Sequence, residues 1–347
     1  MSKQAEKHPK GHKSRGLSLF LVILLVAGAA GFFYYQSYQS NLQPYTGTAE
    51  EASLFTVEKG WTLTRIATEL ENAGYIRSAK DFVTYGKLKK TGGKLQAGNY
   101  LLSPSMSAEE VMNELVKGQV IVKTFTIPEG YHLRQICTTF VAEGISTEDA
   151  FWDAVKNGQY DYGFLEGLPK DDKRLEGYLF PDTYTIAEGT PVEKVLDRML
   201  KRFSVIFEGL PENTSGLSMT ELVTLASIVE NEAKIDEERP MIASVFLNRL
   251  RDGMRLESCA TIQYHFEEKK SRLLYVDLEI DSPYNTYRHE GLPPGPICSP
   301  GKASLEAVAQ PANTDYYFFV AKEDGSGGHV FSHSLSEHNK AKWTIRN

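Results

Sequence analysis

Hydrophobic and polar residues are mixed along most of the chain, but residues 17–35 (LSLFLVILLVAGAAGFFYY) carry no charge at all. A run of that length is what a single helix needs to cross a bilayer. Ahead of it stand Lys3, Lys7, Lys10, Lys13 and Arg15 against the lone acid Glu6. The positive-inside rule therefore keeps residues 1–16 cytoplasmic and exports the chain beyond Tyr35. A cleaved signal peptide is the alternative, because AGAAG offers small residues for processing. The length of the run and its Phe-Phe-Tyr-Tyr ending favour a retained single-pass anchor with an interfacial aromatic belt. Residues 36–52, polar and holding Pro44 and Gly47, read as a tether.

Beyond the tether the pattern repeats at an offset of 70 residues. FTVEKGWTLTRI (55–66) returns as FTIPEGYHLRQI (125–136). Each copy alternates as a strand, turns at Gly60 or Gly130, and enters an amphipathic helix that ends near Gly74 or Gly144. Two copies make a duplication inside a domain and not a solenoid. Helical periodicity then dominates, over 147–156, 191–207, 218–233 and 239–251. After Gly253 the chain is loop-rich, with six prolines between Pro283 and Pro311, and it closes on a hairpin of 316–322 and 327–333. The class is α+β, with one folded region over 53–122 and a larger one over 123–347.

The net charge of −7 divides into +4 on residues 1–16 and −11 on the remainder, so an acidic exported body argues against a nucleic-acid partner. Three cysteines, Cys137, Cys259 and Cys298, are too few for a disulfide scaffold but leave room for one bridge, and Cys259 with Cys298 is the favoured pair. Three free thiols are the alternative. His329, His333 and His338 lack the HExxH spacing of a metal site, so capping or surface roles suit them better.

The most chemical stretch is LVTLASIVENEA (222–233), an apolar helix that ends in two carboxylates. On a helix Glu230 and Glu232 lie about 200° apart, so at most one shares the buried face. Leu225, Ile228, Val229 and Glu232 follow i, i+3, i+4, i+7, which puts Glu232 on the main apolar stripe. A partly desolvated carboxyl there should keep its proton to higher pH, as a general acid must. The plain alternative is that both glutamates sit on the solvated end of a core helix.

Four further segments are dense in Tyr, Asn, Pro and Gly: LEGYLFPDTY (175–184), VFLNRLRDGMRLES (245–258), SPYNTYRHEGLPPGPI (282–297) and FFVAKEDGSGGHVFSHSLSEHN (318–339). Such loops suit carbohydrate, because aromatic faces stack on pyranose rings and amides bond hydroxyl and N-acetyl groups. For Pro293 to Pro296, turn geometry is the simpler role. VEKGWTLTRIATEL resembles the LysM module through Gly60, Thr62, Leu63, Ile66 and Ala67, which implies binding to N-acetylglucosamine polymers or a purely structural βα unit.

Taken together, the SIVE-x-E helix, ASVFLNRL, SPYNTY, GLPPGPI-x-SPG and the closing GGHVF…EHN make the chain resemble the YceG-like family of endolytic murein transglycosylases. The resemblance implies an inner-membrane anchor with an extracytoplasmic body. It also implies cleavage between N-acetylmuramic acid and N-acetylglucosamine inside peptidoglycan strands, leaving 1,6-anhydromuramyl ends, beside penicillin-binding-protein synthases and with no cofactor. It places the acid in the SIVE-x-E segment, and the frame Ile-x-x-x-Glu followed by a small residue falls on Glu232. Glu230 and Glu176 are the expected helpers, and Tyr284, Asn285, Tyr287 and Asn248 the expected substrate contacts. The family's commoner Asp-Pro is replaced here by Cys259-Ala260, so no role falls to that aspartate. A hydrolytic muramidase and a non-catalytic wall-binding scaffold remain the alternatives.

Overall fold

The computed structural model describes residues 13–46, 52–118 and 122–346. Residues 1–12 of the expected cytoplasmic tail (1–16), and tether residues 47–51, lie outside the described residues. The chain is of mixed α+β class and divides into two compact units, Met1–Val122 and Lys123–Asn347.

The first unit contains α1 (Lys13–Asn41), β1 (Ser53–Val57), α2 (Leu63–Asn72), α3 (Ala79–Leu88), β2 (Gly98–Leu102) and α4 (Ala108–Lys117). The stretch Phe20–Asn41 of α1 is long and apolar enough to cross a membrane, and residues 20–35 are exposed. Expectation and structure part where the tether was to begin. The helix runs on to Asn41, because residues 36–43 hold no glycine or proline. Its end is also docked: Asn41 Nδ2 donates to Asp81 Oδ2 at 2.8 Å, and Leu42 packs on the core of the unit. β1 and β2 pair antiparallel with Phe55 opposite Tyr100. Phe55, Ile66, Leu70, Phe82, Tyr100, Val111 and Leu115 fill the space beneath them. Thr62 opens α2 by accepting from Arg65 N, a conventional N-cap.

The second unit begins with β3 (Val122–Thr126), α5 (Leu133–Ala142) and α6 (Glu148–Asn157), and continues through β4 (Thr183–Ala187) and α7 (Val192–Glu208). Then come α8 (Met219–Glu232), α9 (Arg239–Arg251), α10 (Cys259–Gln263) and α11 (Lys302–Ala309), the hairpin β5 (Phe318–Ala321) and β6 (His329–Ser332), and α12 (Leu335–Arg346). β3 pairs with β4, not with β1. The two copies of the repeat therefore fall in different units, which corrects the expectation of a duplication inside one domain. Each strand finds a partner in its own unit, and each helix buries its apolar face there: Ile66, Ala67 and Leu70 in α2, and Leu133, Ile136 and Phe140 in α5.

α8 is the spine of the second unit. Every residue from Leu222 to Val229 is buried, so the helix is enclosed on all sides, and no single stripe faces a core. Its two buried hydroxyls return to the helix, Thr224 Oγ1 to Thr220 O at 2.7 Å and Ser227 Oγ to Thr224 O at 2.7 Å. Ser218 and Glu221 close a capping box at its start. Removing Leu225 or Ile228 to alanine costs about 2–5 kcal/mol at such fully packed sites.

Candidate active site

The end of α8 presents its two glutamates to different surroundings. Glu230 borders a separate cavity of ≈ 600 Å³, but its side chain is only 7% exposed. Oε1 faces Arg239 Nη1 at 3.2 Å, and Oε2 accepts the backbone N–H of Gly301 at 2.9 Å. Arg239 is held in turn by Asp236 at 2.9 Å and Ser304 at 2.6 Å. Glu230 thus ties the end of α8 to the starts of α9 and α11.

Glu232, the last residue of α8, is half-buried and lines a cavity of ≈ 370 Å³. Oε1 accepts Ser258 Oγ at 2.5 Å and the N–H of Ala260 at 3.4 Å. Oε2 has no hydrogen-bond partner among the described residues. One oxygen is fixed, and the other is left for chemistry. Tyr287, Cys259, Phe318, His329, His338 and Lys342 contribute further wall.

Ser258 stands directly before Cys259-Ala260, the pair that replaces the family's commoner Asp-Pro. It caps α10 by accepting Ala260 N, and its own N–H donates to Thr286 Oγ1 at 3.0 Å. Arg249 on α9 clamps the approach, donating to Arg255 O and Leu256 O at 3.0 Å each and to Tyr317 O at 2.7 Å. Between clamp and cap, Glu257 takes the left-handed φ of 51°. Such backbone strain survives only where neighbours over-determine it, and it sits one residue from the serine that holds Glu232.

Tyr287 is the one expected substrate contact that the structure brings into the Glu232 cavity, its hydroxyl 3.2 Å from Cys259 Sγ. Asn285 is buried and consumed by its own loop: Nδ2 donates to Leu278 O and Ile280 O, and Oδ1 accepts Tyr287 N. Asn248 is spent likewise, on Thr314 O, Tyr316 O and Arg251. Both amides expected to meet substrate are thus engaged by the fold, and neither lines the Glu232 cavity. Tyr284 packs against Tyr264 with ring centres 5.0 Å apart, in a separate pocket with Glu176 and Pro294 to Pro296.

Glu176 is wholly buried, where it accepts Tyr264 Oη at 2.9 Å and Leu133 N at 3.1 Å. Burial outweighs both donors and lifts its carboxyl to about 7. It does not line the Glu232 cavity. Its neighbour Gly177 explains part of LEGYLF: at φ 84°, a Cβ there would come within 2.5 Å of Pro296. Only glycine lets the 175–184 and 282–297 segments touch.

The favoured disulfide is also corrected, because all three cysteines are free. Cys298 is buried behind α8, where its Sγ accepts Asn231 Nδ2 at 3.0 Å and donates to Ser227 O at 3.3 Å. Cys259 opens α10 on the cavity wall. The histidines divide against expectation too. His333 is exposed, whereas His329 and His338 are buried in the cavity wall, the former bonded through Nδ1 to Glu238 at 2.6 Å. Among the described residues no group of three His, Cys, Asp or Glu side chains could hold a metal ion. Ser258, Arg239 and Arg249 escaped the sequence reading. Their signal was the placement of MRLES and of the arginines within singled-out motifs, not any chemistry legible in isolation.

The YceG-like family model matches residues 55–344. The chain is 35% identical over 333 residues to the endolytic murein transglycosylase of Bacillus subtilis (strain 168), covering 92% of this chain and 90% of that protein. It is also 35% identical to the endolytic murein transglycosylase of Streptococcus pneumoniae R6, over 92% of this chain but 63% of that relative's length. The crystal structure of a yceG-like protein from Listeria monocytogenes superposes with a TM-score of 0.57 at 35% identity, covering 84% of this chain and all of that one.

Proposed function

Because this chain belongs to the YceG-like family, we propose that it is an endolytic murein transglycosylase, with Glu232 as its acid and then its base. The observation that carries this reading is the Glu232 carboxyl itself, held through Oε1 by Ser258 and Ala260 with Oε2 unpartnered beside an open cavity. Oε2 delivers a proton to the oxygen between N-acetylmuramic acid and N-acetylglucosamine as that bond breaks. The same oxygen, now a carboxylate, takes the proton of the C6 hydroxyl that attacks C1. Ordinary glycosidases need a second carboxylate as nucleophile or to activate water. Here the nucleophile is tethered to the ring it attacks, so proximity replaces the second group. That agrees with a cavity wall in which, among the described residues, Glu232 and Glu257 are the only carboxylates, Glu257 being engaged by Arg249 at 3.3 Å. Glu230 assists by fixing the end of α8, and Tyr287 offers an aromatic face to a sugar ring.

The apolar stretch Phe20–Asn41 supports a single-pass anchor in the cell membrane, with the basic N-terminus cytoplasmic and the folded chain from β1 onward outside. The strand–helix–helix–strand order of β1, α2, α3 and β2 supports a LysM-like first unit that binds the same glycan. An enzyme anchored there and cutting inside strands acts beside the penicillin-binding-protein synthases that extend them. The test is mass spectrometry of products from uncrosslinked glycan strands. Anhydromuramyl ends are expected. Reducing ends would make the protein a hydrolytic muramidase, and intact strands a binding scaffold.

A further inference from the structure

The last helix closes the Glu232 cavity. Leu335, His338 and Lys342 of α12 line it, spaced i, i+3 and i+7, so one face of the helix forms that wall. His338 is 8% exposed and stacks on Phe318 at 5.4 Å between ring centres, while Arg249 covers Phe318 at 4.9 Å. Its Nδ1 is buried without a hydrogen-bond partner among the described residues.

Most buried side-chain polar atoms are paired, and an orphan weakens the fold; His338 Nδ1 is one of five such atoms among the described residues and the one that belongs to a residue of this cavity wall. The same cavity shows the satisfied version. His329 is 7% exposed, and its Nδ1 meets Glu238 Oε2 at 2.6 Å. Two buried imidazoles thus share one wall, and only one is answered by the protein. Burial, with Lys342 and Arg249 nearby, lowers the His338 pKa, so at neutral pH the ring is uncharged and carries one donor and one acceptor. A half-turn about Cβ–Cγ keeps the stack on Phe318 and carries Nδ1 to the opposite edge of the ring.

We propose that His338 is a substrate-binding residue of the Glu232 cavity, whose unanswered nitrogen pairs with a hydroxyl or N-acetyl amide of a glycan sugar. The inference rests on the transglycosylase reading and gives the EHN segment a role in it. It makes two expectations of opposite sign. Phenylalanine at 338 keeps the volume and the stack and removes the orphan nitrogen, so it should leave the apo protein at least as stable while weakening its hold on glycan.

The experiment uses the full chain in detergent, with Glu232→Gln as the non-cleaving parent and uncrosslinked glycan strands as the probe. His338→Phe in that background is expected to melt at or above the parent temperature and to bind strands at least tenfold more weakly. His338→Gln, which restores a donor and an acceptor, is expected to recover part of the affinity. Affinity equal to the parent's in both variants overturns the inference. So does a loss of affinity in His338→Phe that only tracks a lower melting temperature, with no recovery in His338→Gln. Cleavage by the wild type in the same assay then leaves the functional reading standing. Failure of the wild type to cleave, with no binding by the parent, overturns that reading and the inference with it.

Discussion

Glu230 and Glu232 are two residues apart on one helix, yet they face different problems. Glu230 borders a cavity of its own, but both its oxygens are used, one by Arg239 and one by the N–H of Gly301. Glu232 has one oxygen held by Ser258 and one turned loose beside a cavity. The contrast teaches that a catalytic assignment depends on what each carboxylate has left over after the fold has taken its share. Burial alone would have chosen differently, since Glu176 is the most enclosed carboxyl of the three and sits outside the cavity altogether.

The comparison is sharpened most by Glu232→Gln, which should cut turnover by about 10²–10⁴-fold, the usual contribution of a positioned acid–base group, with an unchanged melting temperature. Glu230→Gln should do the reverse. It leaves the buried Arg239 short of one charge partner, at a cost of about 3 kcal/mol in a urea melt, toward the low end for a broken buried pair because Asp236 remains. Ser258→Ala frees the held oxygen of Glu232 and should slow turnover roughly ten- to a hundredfold, given about 1.5–3 kcal/mol for a hydrogen bond to a charged group. The loss of the α10 cap adds about 1 kcal/mol of instability.

Glu176 supplies a test by pH. Its carboxyl is raised from 4.5 to about 7 in the folded protein, so the folded state holds the proton more tightly than the unfolded chain. Its stabilising contribution is full below pH 4.5 and is lost as pH rises through about 7. Melts of Glu176→Gln across that window should show a flatter profile than wild type; an identical slope would contradict the assignment. The smallest effect is none at all: with Cys137, Cys259 and Cys298 free, a reducing agent should leave the melting temperature unchanged.

Much of this was legible in the chain. The helices over 191–207, 218–233 and 239–251 and the closing hairpin stand within a few residues of expectation, because apolar periodicity and start signals such as Pro240 and the Ser218–Glu221 capping box point the same way. The motif segments were recognisable as a group, but their internal roles were not. Asn285 and Asn248 looked like sugar ligands because an amide suits either a hydroxyl or a backbone carbonyl, and only the folded loop shows which it meets. The same holds for Arg239, which a helix-start pattern places correctly and whose buried partner no local pattern names. Helical phase separates Glu232 from Glu230 only on a helix with one buried face. α8 is enclosed on all sides, and the two glutamates differ instead through the residues that sequence-distant loops bring to them.

The most direct test is mass spectrometry of products from Glu232→Gln and Glu230→Gln on the same uncrosslinked strands, each normalised to folded protein. Anhydromuramyl ends cut by about a hundredfold or more in Glu232→Gln, with Glu230→Gln within about tenfold of wild type, is the expected result for an acid–base group at Glu232 alone. Wild-type product from Glu232→Gln, or its absence from a folded Glu230→Gln, would contradict the division of labour at the end of α8.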